Sequence, residues 1–285
     1  MRLAIATHAP GAGAGAPEGD VLLRRALEGR GHAVEQVAWT DPAANWAAFD
    51  GVFVRSTWDY HLRAGEFLAW LDRLDRARVP CANPTALLRW NLDKRYLAGL
   101  AAAGVAVPDT VWLGPRERAD VAEVVRARGW AGAVAKPLVS ASAHRTELVS
   151  SGEVEGPAML QALVPEIRTA GERSLVFLGG AFSHAVVKRA APGDFRVQKE
   201  HGGTWAREAP PEATVAFARR VLGLAPFAPA LARVDLVETA RGPVLMELEV
   251  LEPELFLGHE EADRLAEAVL AALHPGGGQR APLTS

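Results

Sequence analysis

Two strand-like runs near the C-terminal end, 231–238 and 244–251, are separated by a turn at Arg241-Gly242. Such a pair folds most simply as an antiparallel hairpin. It carries Arg233-Val234-Asp235 on one run and Glu247-Leu248-Glu249 on the other. Side chains two apart on a strand share a face, so Glu247 and Glu249 should point the same way, with Leu245 and Leu251 continuing the row. A tight turn would set Asp235 beside them across the ladder. Leu245, Met246, Leu248 and Val250 imply burial of at least one face. Three carboxylates on a half-buried surface repel one another unless a cation lies among them. Magnesium, a hard ion usually held by a few carboxylates and by substrate phosphates, suits them best. Asp235, Glu247 and Glu249 are therefore the candidate metal ligands; a solvated polar strand face is the competing account.

The rest of the chain frames this hairpin. A buried strand is expected at 3–7, a Gly/Ala-rich loop at 10–19, and a helix at 20–30 capped by Asp20. Strands at 33–37 and 52–54 and helical spacing at 67–74 complete a small open α/β domain. After Asn83-Pro84-Thr85, one helix carries Trp90, Asn91, Asp93, Lys94, Leu97 and Leu100 and stops at a left-handed Gly104. Strands follow at 110–113 and 133–136, around a helix at 121–128. Three strands, 159–164, 174–178 and 182–188, lead to a helix at 213–222, the hairpin and a last helix at 261–273. Residues 275–285, with three consecutive glycines, read as a disordered tail. The division expected is an N-terminal α/β domain at 1–82, a central lid at 83–165, a C-terminal part with the metal site at 166–274, and the tail.

Net charge is −3, with acids and bases interspersed, which argues against nucleic acid and membrane as partners. Cys81 is the single cysteine, so no internal disulfide forms and no Cys/His zinc spacing exists. No signal-peptide pattern or membrane-length apolar stretch is seen, and a cytoplasmic location is expected.

Lys136 ends a strand and is followed by Pro137 and Ser140-Ala141-Ser142-Ala143. A lysine there can neutralise phosphates, and small residues let backbone N–H groups approach them. The stretch is not a Walker loop, since no Gly-Lys-Ser/Thr occurs. Lys94 could equally be a helical lysine laid along the surface. Arg55, with Thr57 and Asp59, is the candidate for binding substrate from the end of an N-terminal strand. Its alternative is a structural pairing with a local acid. Trp58 and Tyr60 read as packing residues.

In their order, Asp93-Lys94, Gly104-Val105-Ala106-Val107-Pro108, Ala135-Lys136-Pro137, Leu160-Gln161-Ala162-Leu163, Asp194-Phe195-Arg196-Val197-Gln198 with Gly202-Gly203, Asp235 and Glu247-Leu248-Glu249 resemble the ATP-grasp superfamily of carboxylate–amine ligases. The resemblance covers nearly the whole chain and is similar to the branch of glutathione synthetase and the ribosomal-protein glutamate ligases. Arg55-Ser56-Thr57-Trp58-Asp59-Tyr60, Gly171-Glu172-Arg173-Ser174-Leu175 and Phe182-Ser183-His184-Ala185 look like a smaller group that includes the O-ureido-serine cyclo-ligase of cycloserine biosynthesis.

This resemblance implies an α/β (α+β) ATP-grasp fold: an N-terminal open α/β domain, a small central lid and a C-terminal antiparallel sheet. It implies ATP and two Mg²⁺ per site, with Mn²⁺ able to substitute, and activation of a carboxylate as an acyl phosphate. Lys94, Lys136 and the loop with Ser140 and Ser142 would meet the nucleotide phosphates. Gln161, Ala162 and Leu163 would form the hinge that reads adenine, and Glu166 would take the ribose hydroxyls. Arg196, with Lys188, would act at the transferred phosphate. The acceptor expected is a small amino-acid-like molecule, and a homo-oligomer, as a dimer, is expected. Ligation to a peptide or protein terminus and a non-catalytic nucleotide-binding module are the alternatives. Two features depart from the family: Glu247-x-Glu249 stands where Glu-x-Asn is usual, and the phosphate loop is rich in Ser and Ala rather than Gly.

Overall fold

Leu3, Ala4, Ile5 and Ala6 leave the first strand no polar face, so it must be covered on both sides; all four are almost fully buried. The protein is described by a computed structural model over residues 1–9, 16–197 and 201–274. The expected loop residues 10–15, Gln198 and the expected tail 275–285 lie outside the described residues. Strand β1 (Arg2–Thr7) lies between β2 (Ala33–Ala38) and β3 (Gly51–Val54) in a parallel sheet. Helix α2 (Ala64–Ala77) packs Phe67, Trp70, Leu71 and Leu74 against one face. Helix α1 (Glu18–Glu28) and the helix His259–Leu273 cover the other through Leu23, Leu27, Leu265 and Val269.

Asp20 is not the cap of α1. Pro17 holds that position, and Asp20 sits buried in the first turn. It accepts hydrogen bonds from Arg55 Nε (3.0 Å) and from Ser56 Oγ. Arg55 also donates to Pro253 O (2.7 Å), which ties β3 to the C-terminal part of the chain. Asp20→Ala strands a buried guanidinium, and unfolding free energy is expected to drop by ~3–5 kcal/mol in urea denaturation. A loss below about 1 kcal/mol would show that solvent readily reaches Arg55.

The single helix expected after Pro84 is two, α3 (Thr85–Leu92) and α4 (Tyr96–Ala102). Asp93 is extended and its carboxylate accepts from Arg95 N (2.9 Å), an Asx turn that breaks the helical path. Gly104 has φ +82° and ends α4, as its position predicts. Then come β4 (Thr110–Leu113), β5 (Arg118–Asp120), α5 (Val121–Arg128), β6 (Ala133–Pro137), β7 (Glu147–Val149), β8 (Glu153–Glu155) and β9 (Ala158–Ala162). They form an antiparallel sheet in the order β4-β9-β6-β7 and a separate β5–β8 ribbon. β5, β7 and β8 are three residues each, too short for an alternation to be legible.

The third sheet, in the order β12-β11-β10-β13-β14, is built from β10 (Glu172–Leu178), β11 (Ala181–Arg189), β12 (Thr204–Glu208), β13 (Leu231–Thr239) and β14 (Gly242–Glu249). Helix α6 (Glu212–Gly223) joins α3 and α4 over one face, where Leu97, Leu100, Val221, Phe177, Val234 and Leu248 form a core. The opposite face is covered at one end, around Val176, Leu178 and Leu231, by α7, the helix His259–Leu273. Farther along, that face opens to a cleft. No described helix is long and apolar enough to cross a membrane.

Candidate active site

β14 is the edge of its sheet, and helix side chains occupy backbone groups that an edge strand would leave unpaired. Asn91 donates to Leu248 O (2.7 Å) and accepts from Val250 N (2.9 Å). Tyr96 Oη donates to Leu248 O (2.9 Å) and accepts from Leu248 N (3.0 Å). Leu245 N donates to Ala106 O (2.8 Å). The strand that carries the acids is thus clamped on its free side.

Glu247 lies opposite Asp235, but the register slips between Asp235 and Leu236, so that Leu236 faces Leu245. Met246 is the extra residue of a β-bulge. Leu245 therefore leaves the Glu247 row: it is buried with Leu248 in the core, while Met246, Glu247 and Glu249 line the cleft. The expectation that Leu245 continues the acidic row fails because the bulge shifts the alternation by one residue.

The open face carries alternating charge across four strands. Lys188 on β11 pairs with Glu172 on β10 (2.5 Å) and with Asp235 on β13 (3.3 Å). Arg233 donates to both oxygens of Asp235 (2.8–3.2 Å), to Glu249 on β14 (2.5 Å) and to Glu254 O (3.0 Å). Ser174 Oγ donates to Asp235 (2.5 Å). Lys94, set in the joint between α3 and α4 rather than on a helix, reaches Glu247 and Ser140 O.

Burial disfavours ionisation of Asp235, yet Arg233 and Lys188 hold its carboxyl well below the usual range. Burial, opposed by Arg233 and aided by Glu247 and Asp235, pushes Glu249 up to about 7. Burial also lowers Lys136, against the pull of Glu247. Lys136 Nζ donates to Gln161 Oε1 (2.9 Å) and has no carboxylate partner among the described residues.

Together Lys94, Lys136, Lys188, Arg196, Arg233, Asp235, Glu247 and Glu249 line one cleft of about 730 Å³, with Ser140, Ser142, Gln161, Ala162 and Leu163. Arg196 projects from the chain near the cleft and is gripped by Asp194 through Nε and Nη2 (2.9–3.3 Å). The N–H groups of Ala162 and Leu163 are already bonded to Asp109 O and Gly132 O, so neither is free to read a base edge. Glu166 sits in the short 3₁₀ turn Pro165–Arg168, and its neighbour Ile167, not Glu166, lines the cleft. Arg55, Thr57 and Asp59 also stay out of it. Arg55 is engaged with Asp20, Thr57 is buried, and Asp59 accepts from Trp39 Nε1 (2.8 Å). Trp58 and Tyr60, from the turn that follows β3, line the cleft instead.

Among the described residues no three His, Cys, Asp or Glu side chains are arranged as a metal cage. Asp235 has both oxygens occupied by protein donors. Glu247 and Glu249 each use one oxygen and leave the other without a protein partner among the described residues. Two carboxylates with a spare oxygen, sharing a cleft with Lys136, fit a magnesium ion that takes its remaining ligands from phosphate and water. Cys81 offers no competing nucleophile, since burial pushes its thiol up to about 12.

Comparison with known proteins gives the family and the fold. The family model of the D-cycloserine synthetase DcsG N-terminal domain matches residues 3–83. The cycloserine biosynthesis protein DcsG of Streptomyces lavendulae is 34% identical over 278 residues, covering 86% of this chain and 90% of that protein. A crystal structure of D-cycloserine synthetase DcsG superposes with TM-score 0.81 at 28% identity, over 96% of this chain and 100% of that one. The D-alanine–D-alanine ligase from Bacillus anthracis complexed with ATP shares the fold, with TM-score 0.67 at 13% identity over 96% and 97% of the two chains. The chain is an ATP-grasp ligase, an enzyme of the class that forms C–N bonds with release of ADP. Within that class it belongs to the D-cycloserine synthetase DcsG family.

Proposed function

We propose that the protein is an ATP- and Mg²⁺-dependent cyclo-ligase, which activates the carboxylate of a small amino-acid-like substrate as an acyl phosphate and closes it onto an amine of the same molecule. The observation that carries this reading is the ammonium of Lys136, which has no carboxylate partner among the described residues, sharing a cleft with Glu247 and Glu249, each with one oxygen that no described residue bonds. Ring closure, rather than joining of two molecules, is supported by the family to which the chain belongs.

A carboxylate is a poor electrophile because its leaving group would be oxide. Transfer of the γ-phosphoryl group supplies a good leaving group, and that step is catalysed mainly by positioning and charge neutralisation. Glu247 and Glu249 would hold magnesium, which when bound neutralises and orients phosphate oxygens. Lys136, oriented by Gln161, would meet the same phosphates, joined by Lys94 once a cation replaces it at Glu247. Arg196 would stabilise charge on the transferred group and on the tetrahedral oxyanion formed by amine attack. Lys188 and Arg233 keep Asp235 ionised and the sheet face rigid. Nothing in this sequence needs a nucleophilic side chain. Residues 1–82, 83–165 and 166–274 are the proposed N-terminal, lid and C-terminal parts.

With ATP, Mg²⁺, an amino-acid pool and hydroxylamine, the enzyme is expected to yield a hydroxamate in step with ADP. ADP release without hydroxamate would replace this reading with a kinase or an idle ATPase.

A further inference from the structure

Glu252 lies three residues past Glu249, is about nine-tenths buried and lines the cleft. It makes no hydrogen bond or ion pair with any described residue. The guanidiniums nearest to it are engaged elsewhere: Arg55 with Asp20 and Pro253 O, Arg233 with Asp235, Glu249 and Glu254 O. A buried carboxylate left without a cation is costly, and burial, with Glu249 adding, holds this one well above the ordinary range. Nothing in the phosphate chemistry uses it.

Its surroundings differ from the phosphate end. The start of α1 lines the same cleft through Glu18 and Gly19, and a Cβ on Gly19 would lie 3.7 Å from both Leu257 and Arg55. Burial, and after it the neighbouring acids Glu252, Glu247 and Glu249, raise the hydroxyl of Tyr60. Trp58, Phe256 and Leu257 line the same cleft. A nine-tenths-buried carboxylate in a cleft that also holds Glu18, Glu254 and the aromatic rings of Trp58 and Phe256 suits a compact organic cation, through charge-assisted hydrogen bonds from an ammonium to the carboxylate.

We propose that Glu252 binds the free ammonium group of the amino-acid substrate and selects against N-acylated analogues. This rests on the ligase reading above and adds the substrate's second polar group. A site built around one hydrogen-bonded charge rejects analogues lacking it far more sharply than an apolar pocket rejects a change of size.

The test first takes the amino acid, O-ureido-serine among those tried, that gives the most hydroxamate with the wild-type enzyme. It then compares that compound with its N-acetyl derivative on wild type, Glu252→Gln and Glu252→Asp. Wild type is expected to prefer the free amine by ~10³-fold in kcat/KM. Glu252→Gln should raise the amino-acid KM by ~10²-fold, leave the KM for ATP unchanged and cut the preference to about tenfold or less. Glu252→Asp should recover part of it. Glu252→Gln should also melt no lower than wild type, because it replaces a buried carboxyl that has no partner among the described residues by a neutral group of the same shape. Unchanged selectivity, a lowered melting temperature, or a shifted Mg²⁺ requirement with unchanged amino-acid KM would overturn the assignment while leaving the ligase reading intact. Absence of hydroxamate from every amino acid with wild type would end the ligase reading and this one with it.

Discussion

Glu247→Gln is expected to lower ADP release by ~10³-fold or more while the protein remains folded. The glutamine keeps the shape of the side chain and one carbonyl oxygen but loses the charge that faces Lys94 and would hold the divalent ion. Its side chain is 31% exposed, so removing one partner of the Lys94 pair carries only part of the penalty of a buried break. Steady-state ADP release and a thermal melt, measured on the same preparation, separate the two effects. Wild-type turnover by folded Glu247→Gln would remove it from the metal site. The obvious companion, Asp235→Asn, is a poorer test. Asp235 is 4% exposed, and its charge is shared by Arg233, Lys188 and Ser174, so that variant leaves two buried cations short of a partner and threatens the sheet itself.

Lys136→Met should reduce kcat/KM for ATP by ~10²–10³-fold without loss of stability. Methionine fills the volume of the lysine stem. Among the described residues the one hydrogen bond lost is that to Gln161, and a cation with no carboxylate partner there is removed from a partly buried position. Initial rates at varied ATP, with urea unfolding as the control, check both halves. Unchanged kinetics would show that Lys136 lies away from the nucleotide phosphates and would remove it from the proposed site.

Much of the fold was legible because strong local signals agreed. The apolar run of β1, the spacing of α2 and α6 and the hairpin at 231–251 all appear where their patterns place them, and Gly104 adopts the left-handed conformation that its position demands. Short polar strands such as β7 and β8, and β12 with its exposed Trp205, give no periodic signal and form because neighbours offer them a ladder. Glu252 was overlooked for a related reason. In the sequence it is one acid among Glu247, Glu249 and Glu254, and only its surroundings distinguish it from them.

The sequence by itself determined which charges exist and in what order: the lysines at 94 and 136, the Asp on one strand and the Glu-x-Glu on the next. Alternation along a strand is a local property, so it could say that Glu247 and Glu249 share a face. Tertiary structure alone decided how those charges are spent. The pairing of Lys94 with Glu247, the clamp of Asn91 on Leu248, and the tie of Asp20 at the start of α1 to Arg55 each depend on contacts between residues far apart in the chain. Ion pairing depends steeply on distance and burial, and spacing along the chain fixes neither.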